Sequence, residues 1–116
     1  MMKELYIELF QKTILYTNGL SSEKSRDVIG EKLDVTIKLL EENKEEPTGE
    51  TYVVEGYICM MLPKKTDKRY LTTLVHEAVH VSQILCHQLG ATDVCTSDAG
   101  KELQAYLVDF IVRNLK

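Results

Sequence analysis

From Leu71 to Leu85 the apolar residues Leu71, Leu74, Val75, Ala78, Val81 and Leu85 recur at three- and four-residue spacing, uninterrupted by Gly or Pro. That spacing is the period of an amphipathic α-helix, so any fold must lay one side of this segment on a core and leave the other side wet. The same segment holds His76-Glu77-Ala78-Val79-His80. On a helix, two imidazoles four positions apart lie about 40° apart around the axis and about 6 Å apart along it. This suits two nitrogens each about 2.0 to 2.1 Å from one zinc ion. Glu77 projects from the next position around, close enough to reach a metal-bound water without coordinating the metal.

A catalytic zinc needs three protein ligands and an open position, so the chain must supply another His, Asp or Glu. His87 is seven residues beyond His80, about 10 Å along a continuing helix, and cannot reach the same ion. It also lacks the glycine turn that brings a third His back in the extended motif HExxHxxGxxH. As a helix-end residue it would instead sit against the negative end of the dipole. The chain then breaks at Gly90 and crosses a polar stretch from Ala91 to Ser97. A second helical pattern follows, with Leu103, Tyr106, Leu107, Phe110 and Ile111 on one face and Ser97 or Thr96 as its cap. Two helices joined by a short loop pack side by side. Glu102, in the first turn or two of the second helix, can then face the His pair, with small Ala105 permitting close approach. Glu102 is the expected third ligand, and Asp98 or Asp93 could take its place. Without the upstream motif, Glu102 would read as an ordinary residue stabilising a helix N-terminus.

These residues resemble the zincins, and within them the gluzincins, in which HExxH is followed by a helix bearing a Glu ligand. More narrowly, HEAVH followed some twenty residues later by Glu-x-x-Ala-Tyr-Leu looks like small zincin-like proteins encoded by bacteriophages. The resemblance covers roughly residues 68 to 115. It implies a zinc-dependent peptidase fold with one Zn2+ ion held by His76, His80 and Glu102, Glu77 as general base, and a peptide or protein as substrate. The chain departs from the gluzincin pattern in having no second subdomain after the ligand helix and no identifiable downstream His for transition-state stabilisation. By the same resemblance, the strand close before the metal helix is the candidate edge for an extended substrate backbone; any exposed strand edge can accept a peptide in this way.

At 116 residues and 44% hydrophobic content, the whole chain, residues 1–116, suits a single domain with one compact core. The net charge of −4 argues against a dedicated nucleic-acid binder, which needs clustered cations to neutralise phosphates. Lys64, Lys65, Lys68 and Arg69 do cluster, and read as a solvated turn before the helix. Cys59, Cys86 and Cys95 are odd in number with no CxxC spacing, so neither a disulfide framework nor a zinc knuckle is indicated. Cys59 and Cys86 are expected in the core and Cys95 in a more exposed loop. The first residues show no signal-peptide pattern, and no segment is long and apolar enough to span a bilayer. The expected setting is the cytoplasm.

Along the chain, Leu5 to Thr17 reads as one bent strand or a hairpin, followed by a turn at Asn18-Gly19. Ser21 or Ser22 caps a helix predicted from about residue 23 to 43, with Val28, Ile29, Leu33, Ile37 and Leu40 on its buried side. Glu41 to Gly49 reads as an exposed charged loop, and Tyr52 to Leu62 as a strand interrupted or bulged near Gly56. The order strand, helix, strand, helix, helix predicts an α+β domain, a minimal zincin-like unit with a small sheet packed by helices. Tyr106, Tyr70, Tyr57 or His87 could donate to a developing oxyanion, and Asp98 or Asp109 could orient a ligand His. Two other readings compete with the peptidase: a metal-binding interaction protein with little or no proteolysis, and a metal-free domain in which the motif is coincidental.

Overall fold

The computed structural model describes residues 1–38, 46–88 and 98–116. Leu40, Cys95, the caps Thr96 and Ser97, and the alternative ligand Asp93 lie outside the described residues. The elements in order are β1 (Met2–Ile7), a 3₁₀ turn (Glu8–Phe10), β2 (Lys12–Asn18), α1 (Ser22–Leu33), β3 (Glu50–Val54), β4 (Tyr57–Leu62), α2 (Tyr70–Gln88) and α3 (Asp98–Leu115). The strands form one mixed sheet in the order β1-β2-β4-β3, with β2 and β4 parallel and both outer pairs antiparallel. The fold is therefore α+β, a four-stranded sheet with helices on both faces.

The residues explain the layering. Ile58 to Leu62 are all buried, because β4 is paired on both sides and covered on both faces, and alternate residues serve opposite cores. Ile14, Ile58, Met60 and Leu62 join the core that includes α2 and α3, while Leu15 and Cys59 join Ile29 of α1 on the other side. Thr17 and Ser25, both buried, share a 2.6 Å hydroxyl hydrogen bond that fastens α1 to β2.

Four sequence expectations need correction. The stretch from Tyr52 to Leu62 is two strands, because Glu55 (φ 52°) and Gly56 (φ 81°) both take left-handed backbone and reverse the chain, leaving Val54 opposite Tyr57. Two consecutive positive-φ residues are the mark of a tight hairpin turn whose twist matches the strands. The first helix runs only to Leu33, since Asp34 adopts φ 56° and ends it; Ile37 still packs on the α1 core, from chain beyond the helix.

The second and third helices bury narrower sectors than their apolar patterns suggested. On α2 the buried set is Tyr70, Leu74, Glu77, Ala78, Val81, Ser82, Leu85 and Cys86, whereas Leu71 and Val75 are exposed. On α3, Leu107, Ile111 and Leu115 are buried and Tyr106 is 46% exposed. The apolar arc of each helix is wider than the surface available to cover it, so one flank stays in solvent. The Tyr70 hydroxyl donates to the Leu115 carbonyl, joining the start of α2 to the end of α3 and setting the two helices antiparallel. Among the described residues, no helix is long and apolar enough to cross a membrane.

Candidate metal centre

α2 opens where the Thr73 N–H donates to the Arg69 carbonyl, just after a turn closed by Asp67, whose carboxylate accepts the Arg69 backbone N–H at 2.8 Å and the Arg69 guanidinium at 2.9 and 3.1 Å. These charged hydrogen bonds hold the Asp67 carboxyl well below the usual range, at about 2. The helix then carries His76 and His80 on its exposed side and Glu77 into the interior, where it is 4% exposed.

The His76 and His80 Nε2 atoms are 3.2 Å apart, with the two rings edge to face. Two nitrogens each about 2.05 Å from one ion and 3.2 Å apart subtend about 103° at it, close to the tetrahedral angle. The same separation also permits one imidazole to donate to the other, so the rings are arranged as well for one shared proton as for one shared cation. Ligand atoms of His76, Glu77 and His80 all lie within 4.8 Å of one another.

Glu77 is held from two directions. The Thr51 hydroxyl donates to its Oε1 at 2.8 Å, and Gly49 presses so closely that a Cβ there would lie 3.1 Å from Oε2 and 2.5 Å from Thr73 Cγ2. Only a glycine lets this backbone pass. Neither Thr51 nor Gly49 could be found from local pattern, because both reach Glu77 across more than twenty-five residues of sequence. The contact exists because Thr51 pairs with Met60 in the sheet and so shares its helix-facing side. Thr48, Gly49, Thr72 and Thr73 complete, with His76 and Glu77, a cleft of about 290 Å³.

A second tie fixes α2 along β3: Gln88 Nε2 donates to the Gly56 carbonyl at 3.4 Å. From Thr51 the strand rises about 10 Å to Val54 before the Glu55-Gly56 turn, and from Glu77 to Gln88 the helix rises about 16 to 17 Å. The helix therefore runs in the same direction as the edge strand and continues to the turn at its end. His80 lies about 60° and His76 about 100° around the axis from Glu77, on the solvent side of this seam. β4 is paired on both sides, so the free edge beside the His pair belongs to β3 rather than to the strand just before α2.

Of the residues expected at the site, the structure brings together His76, Glu77 and His80 and leaves Glu102 apart. Glu102 is exposed on α3 and is not a member of the group. Asp98 is also exposed, at the start of α3. Asp109 is engaged with Arg113 at 2.7 Å. Among the possible oxyanion donors, Tyr70 is committed to Leu115, while Tyr57, Tyr106 and His87 are exposed.

Compared with protein-family models, curated proteins and solved structures, the chain finds no match, so the site is read from its own geometry.

Proposed function

We propose that the chain is a zinc-dependent peptide-bond hydrolase built on a minimal zincin-like domain. The observation that carries this reading is the 3.2 Å approach of the two Nε2 atoms beside a carboxylate that is buried yet oriented by Thr51. An incidental pair of surface histidines would not need such a neighbour. His76 and His80 would hold the metal, and two imidazoles with a carboxylate and an open position suit zinc among the common divalent ions. When bound, the ion supplies Lewis acidity, which brings the pKa of water toward neutrality and polarises a carbonyl.

The protein's own groups do the rest. Glu77, fixed by Thr51 at one oxygen, offers the other toward the cleft, where it accepts a proton from the attacking water and returns it to the leaving amine. In an antiparallel ladder, alternate residues turn their backbone groups away from the partner strand, and the tight turn pairing Val54 with Tyr57 gives that orientation to Thr51 and Val53. Their free N–H and C=O groups can align an extended peptide along the seam, with its scissile carbonyl near the imidazoles. Glu102, exposed on α3, remains the proposed third ligand.

The test is metal content and peptide hydrolysis of untagged wild type, Glu77→Gln and Glu102→Ala. One zinc per chain is expected in wild type and Glu77→Gln, with hydrolysis lost from the latter, and weakened zinc affinity in Glu102→Ala. Hydrolysis that persists in Glu77→Gln would refute the role of Glu77. Full zinc affinity in Glu102→Ala would pass the third-ligand role to a loop aspartate.

A second reading is favoured by Leu71, Val75 and Val79, which are 55, 40 and 37% exposed and follow one another at four-residue spacing beside the histidines. Such a row suits a metal-stabilised contact with another protein. It predicts zinc bound without cleavage of broad peptide libraries, and a protein partner whose binding survives Glu77→Gln.

A further inference from the structure

β2 and β4 are parallel and adjacent, and their carboxyl ends meet at the pair Asn18 and Leu62. Parallel neighbours send the chain onward from the same end of the sheet, which opens a crevice there. In this protein the crevice holds about 360 Å³, and Gly19, Ser21, Glu46, Thr48, Lys64 and Arg69 are among its walls. Thr48 also lines the His76–Glu77 cleft, and its hydroxyl accepts from Arg69 at 3.3 Å. Arg69, Thr73 and Glu77 follow one another at four-residue spacing along α2. The two hollows therefore adjoin at Thr48, and Arg69 lies about 12 Å along α2 from Glu77.

The charges in the crevice are unequal in their freedom. Arg69 is spent on Asp67, which takes its main-chain N–H and two of its guanidinium nitrogens, and on Thr48, which takes the third. Lys64 lays its stem across Gly19, and among the described residues no carboxylate forms an ion pair with it. A carboxylate does enter the same crevice: Glu46 accepts the backbone N–H of Ser22. The crevice therefore already accommodates the chain's own acidic side chain while leaving Lys64 without an ion-pair partner among the described residues.

We propose that this crevice is a substrate subsite for an acidic side chain, with Lys64 as the specificity-determining residue and Glu46 as an internal competitor for the same space. At about 3.3 Å per residue, 12 Å is three or four residues of extended peptide. The preferred substrate therefore carries Asp or Glu three or more residues from the bond held at the His pair. This rests on the peptide reading of the groove and is tested by binding, so hydrolysis can fail without it.

The probes are fluorescein-labelled alanine heptapeptides carrying a single Glu at each position in turn, and the same set with Gln, measured by fluorescence anisotropy against zinc-loaded Glu77→Gln protein, which cannot consume them. Expected is an approximately tenfold preference for Glu over Gln at one or two neighbouring positions, lost in the Lys64→Gln double variant, weakened by high salt, and enlarged in the Glu46→Gln double variant. Equal affinity for the Glu and Gln sets, an undiminished preference in Lys64→Gln, or no binding of any peptide would overturn it. Should wild type fail to hydrolyse peptides while the Lys64-dependent preference persists, the hydrolase reading falls and the acidic subsite stands. If hydrolysis occurs without any acidic preference, the subsite alone falls.

Discussion

In the proposed hydrolysis Glu77 is the residue on which the chemistry turns, and its setting depends on two neighbours with no chemistry of their own. A buried carboxylate loses much of its hydration and must regain hydrogen bonds from the protein. Thr51 supplies one at 2.8 Å. Thr51→Val keeps the branched shape that suits a strand but removes the donor, leaving Glu77 free to rotate and partly unsatisfied. The expected outcome is unchanged zinc affinity, a fall in kcat of about tenfold and a stability loss of about 1 to 3 kcal/mol. Titration with a chromogenic chelator, steady-state kinetics and thermal melting would separate the three. An unaltered kcat would mean that Thr51 does not orient the base.

At the scale of elements, the seam between α2 and β3 is set by its two ends. The hairpin turn at Glu55-Gly56 gives β3 its register and supplies the carbonyl that Gln88 reaches. Gly56 has φ 81° with nothing within 4 Å of where a Cβ would stand, so Gly56→Ala introduces no clash. Its cost is conformational, about 1 kcal/mol by thermal or urea denaturation, and a several-fold larger loss would reveal packing that the turn does not show.

The opposite end of α2 rests on the Asp67 turn. The folded carboxyl titrates at about 2 against about 3.9 when unfolded, so ionised Asp67 favours the folded state. That contribution is complete above about pH 4 and disappears as pH falls through about 2. In urea melts across this range, wild type should exceed Asp67→Asn in stability at neutral pH and lose the advantage in acid. A pH-independent difference would mean that the ionised carboxylate is not what holds the turn. Asp67 and Arg69 are both at the surface, so solvent keeps the effect small.

For the whole molecule, the central strand is the common wall of both cores, and its Cys59 reports on their integrity. Burial pushes the Cys59 thiol up to about 11, and Cys86 is buried as well. The thiolate is the reactive form, so in a Cys95→Ser background both cysteines should resist a disulfide-exchange reagent at neutral pH. Their labelling should accelerate in step with unfolding, followed by absorbance and circular dichroism together. Rapid labelling of the native protein would show that the sheet opens locally. Leu74, fully buried between sheet and α3, tests the same core by another route. Leu74→Ala should cost about 2 to 5 kcal/mol.

What the sequence determined by itself is what repeats over a few residues. The period along α2 and the four-residue interval between His76 and His80 specify a helix with two imidazoles on one side, because helix geometry relates neighbours a turn apart without help from the rest of the chain. The α+β class was legible on the same ground, from strand-like and helix-like stretches in alternation. Tertiary structure alone decided which part of each apolar arc is covered, that Tyr52 to Leu62 folds back as a hairpin with β3 outermost, and that Thr51 and Gly49 grip Glu77. It also decided that Glu102, exposed on α3, is not a member of the His76–Glu77–His80 group. Each of these is a distance between residues far apart in sequence, fixed by strand register and helix packing, and no local period encodes such a distance.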